Sequence, residues 1–241
     1  MSGHNKWSKI KNKKGDADAK RGAIFNKLSR EIFMAAKNGG GDPSMNAALR
    51  LVLDKARAAN MPKDNINRAI KKATDVDDTT NYDEITYEGY GPGGVAILVH
   101  TLTDNKNRTD AHIHTIFSRN GGNMGSSGSV AYMFDRKGYL VVEREGLDLD
   151  EDAMFEAILE AGAEDLKTSE DIFEIITAPK DFPAIKEALS SQDLIFAEAK
   201  LSMIPQNYVA LTDEQMEKLD NLVDKLEDDD DVQDVFTNAE G

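Results

Sequence analysis

The sequence predicts an α+β fold, a basic helical region followed by a body in which strands and helices alternate. Three observations predict it. Up to about residue 72 apolar residues recur at helical spacing. After an acidic, polar stretch they alternate as in strands. Beyond that stretch the helices and strands lack the regular βα spacing of a doubly wound sheet, which leaves two small sheets with helices on one face of each.

Taken in order, residues 4–14, His-Asn-Lys-Trp-Ser-Lys-Ile-Lys-Asn-Lys-Lys, carry no periodicity and read as an extended arm. A helix is predicted over Ala17–Asn38, with Ile24, Phe25, Leu28, Ile32, Phe33 and Ala36 on one broad face. Gly39-Gly40-Gly41 ends it, and Asp42-Pro43 reads as N-cap and first residue of a second helix running to Ala59. Asn60-Met61-Pro62 closes that helix. A short third helix, Lys63–Lys72, takes Asp64 as its cap. Thr74–Asn81 is the linker.

In the body, Ile85 and Tyr87 lie on a strand, Gly89–Gly94 forms a turn, and Val95–Val99 is a buried strand. Asn107–Asn120 is a helix, and Asn123–Ser129 a Gly/Ser loop. A strand pair follows (Val130–Phe134 and Tyr139–Glu143). Then come a helix (Asp150–Ala161), a strand (Ile172–Thr177), a helix (Pro183–Leu189) and a strand (Ile195–Ile204). A last helix, Asp213–Glu227, the acidic run Asp228–Asp231 and a strand, Val232–Phe236, complete the chain.

Charge divides the chain in the same place. The 241 residues carry a formal net charge of −15, which as an average argues against a protein that coats nucleic acid. Residues 1–72, however, hold 17 Lys/Arg against 6 Asp/Glu, or +11, and residues 73–241 hold 12 against 38, or −26. A basic segment on an acidic body points to a nucleic-acid partner for that segment alone.

Other classes drop out. With no cysteine there is no disulfide framework, thiolate metal site or cysteine nucleophile. The longest apolar run, Val95–Val99, is far below the ~20 residues of a membrane span. The N-terminus has no apolar core of a secretory signal and is read as mature sequence of a cytoplasmic protein. Gly89-Tyr90-Gly91-Pro92-Gly93-Gly94 matches a dinucleotide fingerprint in letters, but a strand follows it where a helix N-terminus is required. His112 and His114 diverge by ~200° on a helix, so no zinc spacing is met. The run Asp228–Asp231 lacks the glycine and terminal glutamate of a calcium loop and reads as a solvated helix end. No cofactor site is predicted.

The densest constellation is Lys6, Lys9, Lys11, Lys13, Lys14, Lys20, Arg21, Lys27 and Arg30, opposed by two acids before Glu31. Such cations suit phosphate contacts with little base reading. Trp7 either stacks on an unpaired base or pins the arm to the helices. The Gly39–Pro43 and Met61–Asp64 loops either probe a partner or simply cap helices.

The blocks Gly3-His4-Asn5-Lys6-Trp7-Ser8-Lys9, Asp18–Phe25, Gly39–Pro43, Asn60–Asp64, Tyr87–Gly94, Asp104–Thr109 and Gly121–Gly125, in this order, resemble the YebC/PmpR family along the whole chain. The resemblance implies three domains: a helical domain at 1–76, a discontinuous α+β domain at 80–130 plus 205–241, and a ferredoxin-like α+β domain at 131–204 inserted into it. It also implies a non-enzymatic regulator of gene expression. Two roles go with the family: DNA-binding transcriptional regulator, and ribosome-associated translation factor relieving stalls. The expected partner is nucleic acid, either DNA or ribosomal RNA or both, with the ribosome as the candidate assembly and no membrane, and the expected state is a monomer or weak oligomer. Two alternatives stand beside this reading: a nucleic-acid-processing enzyme working near His100, Asp104 and Arg108, and a protein-interaction module using the acidic body.

Overall fold

A computed structural model describes residues 17–240, with side chains from Arg21 onward. Among the described residues, seven α-helices and two four-stranded antiparallel sheets confirm the α+β class.

By its internal contacts the chain forms two compact units. The first contains residues 17–131 and Leu211–Thr237. It opens with helices α1 (Ala17–Gly39), α2 (Ala47–Ala58) and α3 (Lys63–Thr74). Their shared core holds Leu28, Ile32 and Ala36 from α1, Leu49, Leu53 and Ala56 from α2, then Met61 and Ala69, with Phe25 packed at its edge. Ile24, expected on the apolar face, is exposed. Met61 is buried, so the Met61–Asp64 loop carries its apolar side chain inward.

The second helix does not begin at Asp42-Pro43. Its N-cap is Asn46, whose side-chain oxygen accepts from the Leu49 amide at 3.0 Å. The Asn46 amide nitrogen donates at the same time to the carbonyls of Ala35 and Gly40, at 2.8 Å each. An aspartate has no donor for those two carbonyls. Asp42 instead accepts from the Ser44 amide and hydroxyl in a tight turn. At α3 the cap position is Pro62, with no side-chain cap bond, and Asp64 lies inside the first turn.

Strands β1 (Asp83–Tyr90) and β2 (Ala96–Thr103) pair as the expected hairpin around Gly91–Gly94. Gly93 sits at φ +72°, and a Cβ there would lie 2.3 Å from Leu211 Cδ2, so the turn requires glycine. Helix α4 (Lys106–Arg119) follows, then a two-residue strand β3 (Asn123–Met124) inside the predicted loop. After an excursion through the second unit the chain returns as α7 (Asp213–Glu227) and β8 (Val232–Thr237). Strand β8 pairs with β2, giving the order β3-β1-β2-β8. Ile113 and Phe117 of α4 and Leu219, Leu222 and Leu226 of α7 are buried with the strand residues Ile97 to Val99.

The second unit, Tyr132–Ala210 with residues 238–240, is built from β4 (Phe134–Glu143), α5 (Glu151–Ala161), β5 (Asp165–Thr168), β6 (Ile172–Thr177), α6 (Phe182–Ser190) and β7 (Phe196–Pro205). The order β5-β6-β4-β7, all antiparallel, is the split β-α-β arrangement. Where two strands were expected over 130–143 there is one, preceded by a single turn at Ala131–Met133. Gly138 pairs with Thr177, and a Cβ on it would lie 2.6 Å from Phe182 Cδ2. That approach seats α6 on the sheet.

Candidate nucleic-acid interface

Of the ten residues the sequence singles out, Lys6, Trp7, Lys9, Lys11, Lys13 and Lys14 lie outside the described residues. Lys20 lies on α1, with its side chain outside the described set. Arg21 is exposed near the start of that helix.

Lys27 and Arg30, further along α1, meet the acidic turn after α7. Lys27 Nζ donates to the carbonyl of Glu227 at 2.6 Å. Burial lowers the pKa of this ammonium, against the opposing pull of Glu227, Asp229, Asp230 and Asp228. Arg30 Nη1 donates to Asp231 Oδ1 at 2.6 Å, to the Asp230 carbonyl at 2.7 Å and to the Leu102 carbonyl at 3.1 Å. Its guanidinium carbon stands 5.6 Å from the centre of the Tyr82 ring, within cation–π range.

Asp231 is the centre of this junction. Only 3% of it is exposed, so the run Asp228–Asp231 is not a uniformly solvated helix end. Besides Arg30, its carboxylate accepts from Thr109 Oγ1 at 2.7 Å, from Thr103 Oγ1 at 3.2 Å and from Arg108 Nη2 at 3.2 Å. Burial alone, the largest influence, pushes this carboxyl up. The bonds from Thr109, Arg108 and Arg30 and the Arg30 charge outweigh it and hold the pKa below its ordinary value. Arg108 also pairs with Asp104 at 2.7 Å. The His100 ring packs edge-on against Phe236, 5.1 Å between centres. These three residues of the proposed catalytic cleft are thus engaged in structural contacts.

Most other cations of the helical region are occupied too. Lys55 pairs with Glu31 at 2.9 Å and Arg57 with Asp54 at 3.0 Å. Arg50 donates to the carbonyls of Pro43 and Ser44. Lys37 donates to the Thr80 carbonyl and, like Lys72, lies over the Phe33 ring.

Lys63, Arg68 and Lys71 on α3 differ. All three are exposed, and none has an ion pair or hydrogen bond to another side chain or carbonyl among the described residues. Ile66, Ala69, Ile70 and Ala73 turn inward. Lys63, Asn67 and Lys71 then follow one another at four-residue steps on the outer side, with Arg68 beside them. This stripe is ~12 Å long, the reach of three or four phosphates along one strand. In the sequence these cations belong to the basic region but are outweighed by the denser cluster on the arm and α1. The signal was present in the spacing of the four apolar residues.

Two family models cover the chain. The N-terminal domain of TACO1/YebC proteins matches residues 5–76, and the TACO1/YebC second and third domain matches residues 82–239. A relative from Enterococcus faecalis, named "Probable transcriptional regulatory protein", is 60% identical over 240 residues, spanning 100% of this chain and 99% of its own. One from Latilactobacillus sakei, of the same name, is 63% identical over 240 residues, spanning 100% and 98%. A crystal structure of a conserved hypothetical protein, Aq1575 from Aquifex aeolicus, superposes with a TM-score of 0.84 at 40% identity, covering 93% of this chain and 92% of that one. With both models and these relatives matched over nearly its whole length, the chain belongs to the TACO1/YebC family.

Proposed function

We propose that this protein is a cytoplasmic, non-enzymatic regulator of gene expression that binds nucleic acid through its basic helical domain, residues 1–76. The α+β domain at 80–130 plus 205–241 and the inserted domain at 131–204 are both acidic, and charge repels each from the phosphates. The observation that carries this reading is the division of the cations. Lys27 and Arg30 are consumed by the acidic turn after α7, while Lys63, Arg68 and Lys71 stand exposed on α3. The arm supplies Lys6, Lys9, Lys11, Lys13 and Lys14 in addition. Trp7 offers one ring for stacking on an unpaired base.

Contacts of this kind track the backbone and read shape more than sequence. They suit structured RNA or weakly selective DNA. That chemistry serves both a transcriptional regulator, as the relatives are named, and a factor seated on ribosomal RNA.

The test is crosslinking of RNA and DNA to the full-length protein in cells, alongside sedimentation of the lysate. Signal on ribosomal RNA with co-sedimentation supports the translational role. Peaks on promoter DNA without ribosome signal support the transcriptional one. Absence of both RNA and DNA signal refutes the reading.

A further inference from the structure

Helix α5 buries Met154 and Ile158 against the second unit's core. Its outer side carries a second apolar pair, four residues apart, that serves no core: Phe155 is 53% exposed and Leu159 64%. On a helix such residues are adjacent and ~6 Å apart along the axis. Exposed Glu151, Asp152, Glu156 and Glu160 flank them. From Glu145 to Leu166 the chain holds nine acidic residues and no lysine or arginine.

Part of that acidity has a local purpose. Asp150 caps the helix, accepting from the Ala153 amide at 2.9 Å, and Glu151 and Asp152 favour the helix N-terminus. Glu156 and Glu160 have no such purpose. Glu160 sits in the last turn, where a carboxylate opposes the helix dipole and no basic residue offsets it.

We propose that this face of α5 docks a lysine- and arginine-rich protein segment bearing apolar anchors, of the kind that forms an amphipathic helix on binding. Phe155 and Leu159 take the anchors, and Glu151, Asp152, Glu156 and Glu160 meet the cations. A second copy docking through its lysine-rich residues 4–14 is the competitor that the sedimentation arm of the test decides; one docking face to face would oppose like charges, which is costly. Nucleic acid and an anionic membrane surface are repelled for the same reason. A basic protein segment is the remaining class that satisfies both the apolar pair and the charge. This site is separate from the basic helical domain and stands whether or not that domain binds nucleic acid.

The test uses the full-length protein and a synthetic helical peptide of about 18 residues, long enough for stable helix formation. One face of the peptide carries leucine and the other lysine and arginine, and binding is read by fluorescence anisotropy. F155S/L159S is expected to lower affinity about tenfold or more, as loss of two apolar anchors requires, with the melting temperature lowered by no more than the few degrees that serine's weaker helix propensity costs. E156K/E160K should weaken binding and flatten its salt dependence. E214K/E217K, on α7, should leave it within about twofold. The proposal is overturned if F155S/L159S binds the peptide as the wild type does. It is equally overturned if the α7 pair weakens binding as much as the α5 pair, or if F155S/L159S lowers the melting temperature by as much as loss of two core side chains would, tens of degrees, placing the pair in the core. Conversion of a dimer to a monomer by F155S/L159S in sedimentation would also overturn it, making the occupant a second copy.

Discussion

Arg30 Nη1 lies 2.6 Å from Asp231 Oδ1, a contact that joins residues 201 positions apart. It fastens the first helix to the turn that leads into the last strand. The Arg30 side chain is 18% exposed and that of Asp231 4%, so the pair is shielded from the solvent that makes surface ion pairs weak. Truncation of one partner should therefore be felt. R30M is expected to cost roughly 1–3 kcal/mol of unfolding free energy, since a buried carboxylate loses one of its donors. With D231N the double variant should be less destabilised than the sum, with a coupling of about 1 kcal/mol or more. Urea unfolding of the four proteins of this cycle measures it.

Acid should release the same junction. Asp231 has a pKa held below its ordinary 3.8. Glu88 is held below 4.5, where burial pushes up but the amides of Gly128, Val130 and Ala131 together outweigh it. A carboxylate depressed in the folded state contributes stability that is fully present above its unfolded pKa and is lost as pH falls through the folded one. Stability should therefore be level from neutral pH down to about 5 with respect to these two groups and decline below pH 4.5. The decline should be shallower in D231N, and unfolding midpoints between pH 7 and 3 give the comparison.

Glu88 anchors the Gly/Ser loop by accepting from the amides of Gly128 at 2.6 Å, Val130 at 2.7 Å and Ala131 at 2.8 Å. E88Q replaces a charged double acceptor with a single carbonyl oxygen and an amide NH2 group that faces donors. We expect a loss of about 1–3 kcal/mol. Faster hydrogen exchange at those three amides would accompany it, while α1 to α3 stay protected.

Gly138 is closed to any side chain, because Thr177 and Phe182 occupy the space a Cβ would take. G138A should overpack the junction of β4 and α6 and cost about 1–3 kcal/mol. Thermal unfolding reads this directly.

These particulars show what the sequence could and could not reveal. Helical periodicity in α1 and α7 comes from local burial, which residue spacing records; β1 alternates only over Ile85–Tyr87, since Tyr87, Glu88 and Gly89 are all buried. The stretch Asp135-Arg136-Lys137-Gly138 looks like a turn, because three charged residues and a glycine punctuate two apolar runs. It is the first half of one strand, Phe134–Glu143, and the glycine is there for α6. Strand β5 has four residues, none of them buried, and so no periodic signature. Asn46 won the cap from Asp42 through bonds to residues as far as 11 positions back. The burial of Asp231 depends on Arg30, Thr103, Arg108 and Thr109, which no local window contains. For the same reason the arm and α1 read as the whole binding surface. Which cations are free depends on pairing across the fold, and that pairing moves the emphasis from Lys27 and Arg30 to α3.

Lys63, Arg68 and Lys71 are the residues proposed to contact phosphates. The most direct test of that contact is the salt dependence of binding of full-length protein and K63A/R68A/K71A to one structured RNA. We expect weaker binding by the variant and a slope of log affinity against log salt that is shallower by about 2–3. An unchanged slope and affinity would contradict it.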